Sequence, residues 1–402
     1  MSNKKQVLMV MPVMKGGGAE RVAALLVNEF HKNGCKTEFL LTSSGKDEVI
    51  NRDLNPDIPL TFIDDAGIKE NRVFKLIYAL LRIVSSLLCK PFEAVGKPAP
   101  VCFAYLSFVS QYHREIKLMR KKLEKNPDAT VISFLQPSIP ITLLAARGLP
   151  NRIVISERGD PKRQMKKRYG YNFVKKYYQR ADAVVFQTGD AMAAYPEIVS
   201  KKGTVIFNPV NSSLPEPYFG EREKCVTTFC RISRQKNLPL LVESFAEFHK
   251  CCGDYTLKII GEPQNDDDRA VLAETKALAT KLGVLDFIDF QPFSASVHAL
   301  IIRDAMYVNS SDYEGMSNAM LEAMATGMPV ICTDCPIGGA SAVIRNGENG
   351  LLTEVGNATE LCEAMKKIAG DQQFSDKLSR NAAEIRNELS LEATAKKWME
   401  LF

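Results

Sequence analysis

Two successive series of short, almost wholly apolar runs, separated by helical stretches, constrain this chain more than any other feature. The first series opens at 7–11, turns through Gly16-Gly17-Gly18, enters a helix at about 19–32 and returns at 37–41. It resumes at 130–134, 153–156, 183–187 and 205–207. The second starts at 225–230 and runs through a helix at 239–250, a strand at 256–260 and a helix near 269–282. Strands at 287–290, 305–308, 329–333 and 350–353 complete it. Strands with no polar alternation are buried on both faces, which a parallel sheet covered by helices provides. The expectation is an α/β chain of two doubly wound, Rossmann-like domains. The first spans 1–210, with an apolar insertion at about 70–125, and a Pro- and Ser-containing linker follows at 211–224. The second domain spans 225–385, and a C-terminal helix at 386–402 is expected to pack back on the first domain. Ligands of such sheets bind outside the strand C-termini, so the expected site is a cleft between the domains.

At 402 residues the chain is long enough for two cores. A net charge of +5 is too small to argue for nucleic acid. Ten scattered cysteines, and a start at Met1-Ser2-Asn3-Lys4-Lys5 that leads straight into a strand, point to a reduced, cytoplasmic protein. Cys332-Thr333-Asp334-Cys335 has redox spacing, but it follows a buried strand and lacks a second pair, so packing is the expected role. Four dispersed histidines leave no His-based metal site, and no metal ligand set is assigned.

The chemistry concentrates at Ser311-Asp312-Tyr313-Glu314-Gly315-Met316-Ser317-Asn318, which follows the strand at 305–308. Ser317 can cap a short helix that runs to about Thr326 and stops at Gly327. Glu314 then sits on the loop and Glu322 within the helix, with the N–H groups of Gly315 to Asn318 free to face an anion. Arg231-Ile232-Ser233-Arg234-Gln235-Lys236 follows the first strand of the second domain and offers cations to a diphosphate leaving group. The triple glycine at 16–18 allows close backbone approach to a ligand. It is neither G-x-G-x-x-G nor a P-loop, so Gly17 and Gly18 are read as a loop touching donor phosphate or acceptor, with a tight turn that meets no ligand as the alternative.

Arg231 with Lys236, Glu314 with Glu322, and Gly327-Met328-Pro329-Val330-Ile331 together resemble the donor half of retaining glycosyltransferases of family 4. Gly338-Gly339-Ala340-Ser341, Asn346-Gly347-Glu348-Asn349-Gly350, Phe207-Asn208-Pro209-Val210 and Gly16-Gly17-Gly18-Ala19-Glu20 extend the resemblance over nearly the whole chain. It implies the GT-B fold, a nucleotide-diphosphate sugar donor (UDP-linked by family frequency) and no required metal or other cofactor. Arg231 and Lys236 would hold the diphosphate, Glu322 the ribose, and Glu314 the sugar hydroxyls, with Arg231, Lys236 and Glu314 carrying the catalysis. Retention in that family is explained by front-face attack, the leaving phosphate taking the acceptor proton. The sequence departs from the pattern at Gly261-Glu262-Pro263 and Pro292, near the expected base. Glu157 and Arg158 stand where many relatives carry a histidine, and are acceptor-side candidates.

The segment 73–89 is apolar except for a stripe of Lys75, Tyr78, Arg82, Ser85, Ser86 and Cys89. It is too short and too charged for a span, and reads as a helix in the membrane interface or as a docking helix with a wide apolar face. The stretch 161–180 carries Lys162, Arg163, Lys166, Lys167, Arg168, Lys175, Lys176 and Arg180 with no acid, interleaved with Tyr169, Tyr171, Phe173, Tyr177 and Tyr178. It fits an anionic leaflet better than nucleic acid, given the apolar insertion in the same domain. The resulting expectation is a hexose or N-acetylhexosamine transferase working on a lipid-linked or oligosaccharide acceptor in polysaccharide, capsule or lipopolysaccharide assembly. It would sit at the cytoplasmic face of the membrane by peripheral contact. The alternatives are an epimerase or synthase with a small soluble acceptor and, more remotely, a non-catalytic RNA- or nucleotide-binding protein.

Overall fold

The computed structural model describes residues 5–43, 53–66, 72–166 and 170–402. Met1 to Lys4, and Lys167, Arg168 and Tyr169 of the basic stretch, lie outside the described residues. The chain divides into two units, Met1–Phe207 with Leu391–Phe402, and Asn208–Ser390.

Unit one is built on seven parallel strands: β1 (Gln6–Met11), β2 (Lys36–Leu41), β3 (Leu60–Phe62), β4 (Thr130–Phe134), β5 (Ile153–Ser156), β6 (Ala183–Phe186) and β7 (Gly203–Val205). Their order is β3-β2-β1-β4-β5-β6-β7. Val7 sets the register at the centre, opposite Thr37 on one side and Thr130 on the other. Alternate residues of β1 serve two cores. Leu8 and Val10 join one cluster, Val7, Met9 and Met11 the other, so both faces of the sheet are dry. Edge strand β3 was not expected from the sequence, because three half-buried residues are too few to show a period.

The second of these clusters is completed from the far end of the chain. Trp398 on the helix Leu391–Met399 is wholly buried with its ring 5.5 Å from Phe134. Phe402 meets Phe30 of helix α1 (Gly18–Lys32) edge-on at 5.0 Å.

Between β3 and β4 lie two long helices, α2 (Arg72–Ala94) and α3 (Val101–Glu124). Helix α2 is inside out for a globular helix. It packs on α3 through part of its polar stripe: Ser85 and Cys89 are buried, Ser85 Oγ is 3.5 Å from Ser110 Oγ, and Tyr78 stacks on His113 at 3.7 Å, while Lys75 and Arg82 stay exposed. Its apolar face is left outside, with Leu76 77%, Leu80 63%, Ile83 58% and Leu87 57% exposed. The docking alternative is therefore not realised within unit one. No described helix is long and apolar enough to cross a membrane.

Unit two has six parallel strands: β8 (Glu223–Phe229), β9 (Thr256–Ile260), β10 (Ile288–Gln291), β11 (Asp304–Asn309), β12 (Val330–Thr333) and β13 (Leu351–Thr353). Their order is β10-β9-β8-β11-β12-β13. At the N-terminal ends of its strands the buried Asp304 takes Lys258 Nζ at 3.0 Å on each oxygen and a hydroxyl bond from Thr227. Arg222 clamps the same end by donating to the carbonyls of Ile302 and Asp304 at 3.2 and 3.1 Å. Burial pulls its pKa down to about 10. The opposite ends carry the chemistry. Strand order reverses between β8 and β11, and the loops that follow these two strands flank the switch point where doubly wound sheets bind ligands.

Replacing Trp398 by Ala removes a ring seated in the unit-one core and should cost about 3–5 kcal/mol. Denaturant unfolding followed by near-UV circular dichroism will show the shift, and an unchanged midpoint would mean the C-terminal helix contributes nothing to that core.

Candidate functional site

Strand β8 ends at Phe229 and the chain runs through Cys230 to Ser233 into a single 3-10 turn, Arg234–Lys236. Asn237 then adopts φ +43° and caps the next helix by accepting from Leu240 N at 3.3 Å. Asparagine tolerates the left-handed region and caps well, which makes the sharp exit possible. The loop is held from below by Gly261: a Cβ there would lie 1.9 Å from the Cys230 carbonyl oxygen, so only glycine permits the approach. Ile232 N also donates to Glu262 O at 3.3 Å.

The loop after β11 is stitched to this one by several hydrogen bonds. Asp312 N donates to Gln235 O at 2.9 Å, and Gln235 Nε2 donates to Tyr313 O at 2.7 Å. Ser310 Oγ donates to Lys236 O at 2.9 Å and Asn237 Nδ2 to Asp312 Oδ1 at 2.6 Å. The stitching brings the Lys236 ammonium onto Glu314 as an ion pair, with side chains 17% and 14% exposed. Glu314 also accepts from Ser311 Oγ at 3.0 Å and Gln235 Nε2 at 3.1 Å. Burial pushes the Lys236 ammonium down, but the Glu314 charge outweighs it and holds the pKa above the ordinary lysine value. Arg231 is exposed, and its charge is close enough to disfavour a second cation at Lys236. Arg234 turns away to Glu274 at 3.3 Å and Asp267 at 3.5 Å, bracing the loop against the helix Asp266–Lys281.

Beyond Glu314 the backbone turns at Gly315 into the helix Asn318–Ala325, with Ser317 as N-cap accepting from Met320 N at 3.3 Å and Gly327 at φ +77° behind it. The turn is fixed from two sides. Gly339 packs so closely that a Cβ would stand 1.6 Å from Gly315 O. From the other side, Asn208 Nδ2 donates to Met316 O at 3.2 Å and to Asn318 Oδ1 at 2.7 Å. Glu322, on the inner face of this helix and 6% exposed, accepts from His298 Nε2 at 2.8 Å. The His298 ring stands edge-on to Phe229 at 5.6 Å. Unit two thus gathers Arg231, Lys236, Glu314, Gly315, Met316, Ser317 and Glu322 from the two switch-point loops and the helix that follows. His298, Gln235, Asn208 and Gly339 were missed as site residues. The first two depend on contacts across 24 and 79 positions that no local pattern encodes. Gly339 and Asn208 did lie in quoted motifs. Cys332 and Cys335 are buried, and burial pushes both thiols up, Cys335 to about 11, which leaves them unreactive.

In unit one the glycine turn precedes α1. Gly16 has φ +81°, and the N–H groups of Lys15 and Gly17 both donate to Glu20 Oε2, at 2.5 and 2.9 Å. Gly18 is the first residue of the helix. Glu157 and Arg158 follow β5 and both are buried. Tyr178 donates its hydroxyl to Glu157. Arg158 lies over the Phe134 ring at 4.6 Å, its three guanidinium nitrogens without a hydrogen-bond acceptor, and burial pulls its pKa down to about 9. Of the aromatics in the basic stretch, Phe173, Tyr177 and Tyr178 are core residues and Tyr171 is exposed. Phe173, Tyr177 and Tyr178 are thus not the exposed rings on which a single strand stacks.

Residues 215–385, which contain every unit-two site residue except Asn208, match the family described as Glycosyl transferases group 1. The matched stretch takes in most of unit two. The chain is 26% identical over 285 residues to the N-acetylgalactosamine-N,N'-diacetylbacillosaminyl-diphospho-undecaprenol 4-alpha-N-acetylgalactosaminyltransferase of Campylobacter jejuni, covering 67% of this chain and 75% of that one. It is 27% identical over 177 residues to the lipopolysaccharide core biosynthesis glycosyltransferase LpsE of Rhizobium meliloti, covering 44% of this chain and 48% of that one. It thus spans about half the length of the Rhizobium relative. The crystal structure of Anabaena HepE in complex with UDP matches with a TM-score of 0.73 at 17% identity, covering 98% of each chain. The likeness is one of fold, and the fold is GT-B.

Gly339→Ala should push the Gly315 turn aside and cost unit two about 1–3 kcal/mol or more, because the clash is with backbone. Denaturant unfolding checks this, and an unchanged midpoint would show that the turn yields without cost.

Proposed function

We propose that the chain is a retaining glycosyltransferase. It moves a hexose or N-acetylhexosamine from a nucleotide-diphosphate sugar, UDP-linked, to a membrane-anchored glycan in bacterial polysaccharide or lipopolysaccharide assembly. The observation that carries the reading is the Lys236–Glu314 pair, seated on the loops that flank the strand-order reversal of unit two.

A diphosphate entering there meets Lys236 and the exposed Arg231 as cations and the N–H groups of Gly315, Met316 and Ser317 as donors. Charge develops on the phosphate as the glycosidic bond lengthens, and fixed cations stabilise that charge without reorganising. Glu314 keeps the buried lysine ionised and placed, and presents its remaining lone pairs to the sugar hydroxyls. Glu322 has two carboxylate oxygens, so it can accept from the ribose hydroxyls while His298 holds its orientation. The leaving phosphate takes the acceptor proton, which needs no nucleophile or metal ion from the protein and places the burden on orientation and electrostatics. Glu157 and Arg158 are assigned to the acceptor side.

Two further points support a membrane-anchored acceptor. One is the exposed apolar face of α2, which anionic lipid would cover with help from cations such as Lys117 and Lys176, which share a cavity with Phe74 and Tyr78 of α2. The other is that the Campylobacter relative is by name a transferase for an undecaprenol-diphosphate substrate. The soluble-acceptor alternative leaves that apolar face without a purpose.

Lys236→Ala and Glu322→Ala should each reduce sugar transfer by about a hundredfold or more, since single donors in preorganised sites carry effects of that order. Product analysis with radiolabelled UDP-sugars is the assay, and near-normal turnover of either variant with an unchanged melt removes the donor assignment. A Leu80→Glu, Ile83→Glu double variant should leave the vesicle fraction in flotation with phosphatidylglycerol liposomes while keeping UDP affinity. Wild-type protein that fails to float at low salt rules out the interfacial role of α2.

A further inference from the structure

Unit one holds a second concave site, lined by helices and helix ends rather than by the loops that follow β1 and β4. A cavity of about 1180 Å3 opens among α2, α3 and the helix Tyr171–Tyr177. Its floor is apolar and aromatic: Tyr78 and Phe74 come from α2, Val109 from α3, and Tyr105 stacks on Tyr177 with centroids 5.7 Å apart. Around this floor stand Arg114, Lys117, Arg120, Arg147, Lys176 and Arg180, and no carboxylate lines it among the described residues. Two of the cations are engaged, Arg114 with Asp64 at 2.8 Å and Arg120 with Glu124 at 3.0 Å. Among the described residues the other four pair with no acid. Lys176 and Arg180 lean on the Tyr177 ring at 5.9 and 4.9 Å.

Lys117, Arg147, Lys176 and Arg180 are exposed and present an anion with a positive rim around an apolar floor. One bilayer phosphodiester carries a single charge, fewer than four cations call for, whereas a diphosphate carries two to three. The volume slightly exceeds the usual range of roughly 300–1,000 Å3 for small-molecule clefts, which leaves room for a head group and part of a chain. Phe74 belongs to the cavity and is also 57% exposed beside the apolar face of α2, so the floor continues outward.

We propose that this cavity binds the diphosphate head and first isoprene units of a polyprenyl diphosphate lipid. Lys117, Arg147, Lys176 and Arg180 hold the phosphates and the aromatic floor holds the chain. Its role as the anchor of the glycan acceptor rests on the proposed function, but the binding itself does not require sugar transfer.

The test is calorimetric titration of the full chain, without nucleotide, by geranylgeranyl diphosphate below its micellar concentration. Inorganic pyrophosphate and geranylgeraniol serve as comparisons. Saturable one-to-one binding is expected, weaker by about tenfold or more for pyrophosphate, which lacks a chain to bury, and absent for the alcohol. A Lys117→Glu, Arg147→Glu double variant should lose about tenfold or more in affinity for geranylgeranyl diphosphate while binding UDP as the wild type does. If that variant does not melt cooperatively, Lys176→Gln replaces it, with a smaller loss expected. Pyrophosphate binding as tightly as the isoprenyl compound, unchanged affinity in the folded variant, or binding to phosphatidylglycerol vesicles alone would each overturn the site. Failure of wild-type protein to bind UDP would count instead against the donor reading, leaving the lipid titration to stand or fall separately.

Discussion

A lysine and a glutamate largely withdrawn from water hold the two switch-point loops of unit two in one arrangement, and the other site features are built around that pair. Lys236 and Glu314 stand 78 residues apart, and each loop alone has no reason to adopt its observed path. Removing one partner of such a pair leaves the other buried and uncompensated, at a cost of about 3–5 kcal/mol. Gln235 spans the same gap from both sides, with its side chain on Tyr313 and Glu314 and its carbonyl on the Asp312 amide. Charge and main-chain bonding are thus satisfied together, the condition under which a buried polar network rigidifies rather than weakens a site.

The two units treat their first βα turn differently. In unit two the turn after β8 presents cations and is braced by Arg234 to a neighbouring helix. In unit one the glycine turn after β1 has its Lys15 and Gly17 amides taken by Glu20 from within the same turn and helix. The same topology therefore yields a basic, outward-offering loop in one case and an internally satisfied one in the other.

Local chemistry was legible in the sequence, and long-range chemistry was not. Ser317 as cap, Gly327 as stop and the apolar strand runs are decided within a few residues, and the structure has them where the pattern puts them. The His298 contact to Glu322 and the Gly339 contact to Gly315 depend on chain segments brought together by the sheet order, so the residues are visible in the sequence while their purpose is not. For α2 the periodicity was readable but its orientation was not. A stripe of small and polar residues against a wide apolar face says only that the faces differ, and the usual assignment of apolar to inside is reversed here, with Ser85 and Cys89 against α3. The aromatics at 173, 177 and 178 failed as evidence for base stacking for the converse reason, being drawn into the core by the helix that carries their cationic neighbours outward.

Unit one is discontinuous, since residues 391–402 close a core begun at Val7. During synthesis the ribosome must deliver the 183 residues of Asn208–Ser390 before Trp398 can reach Phe134. Unit two can therefore finish folding on a nascent chain whose unit one still lacks a helix. Until that helix is in place, the seat that Trp398 fills beside Phe134 stays uncovered.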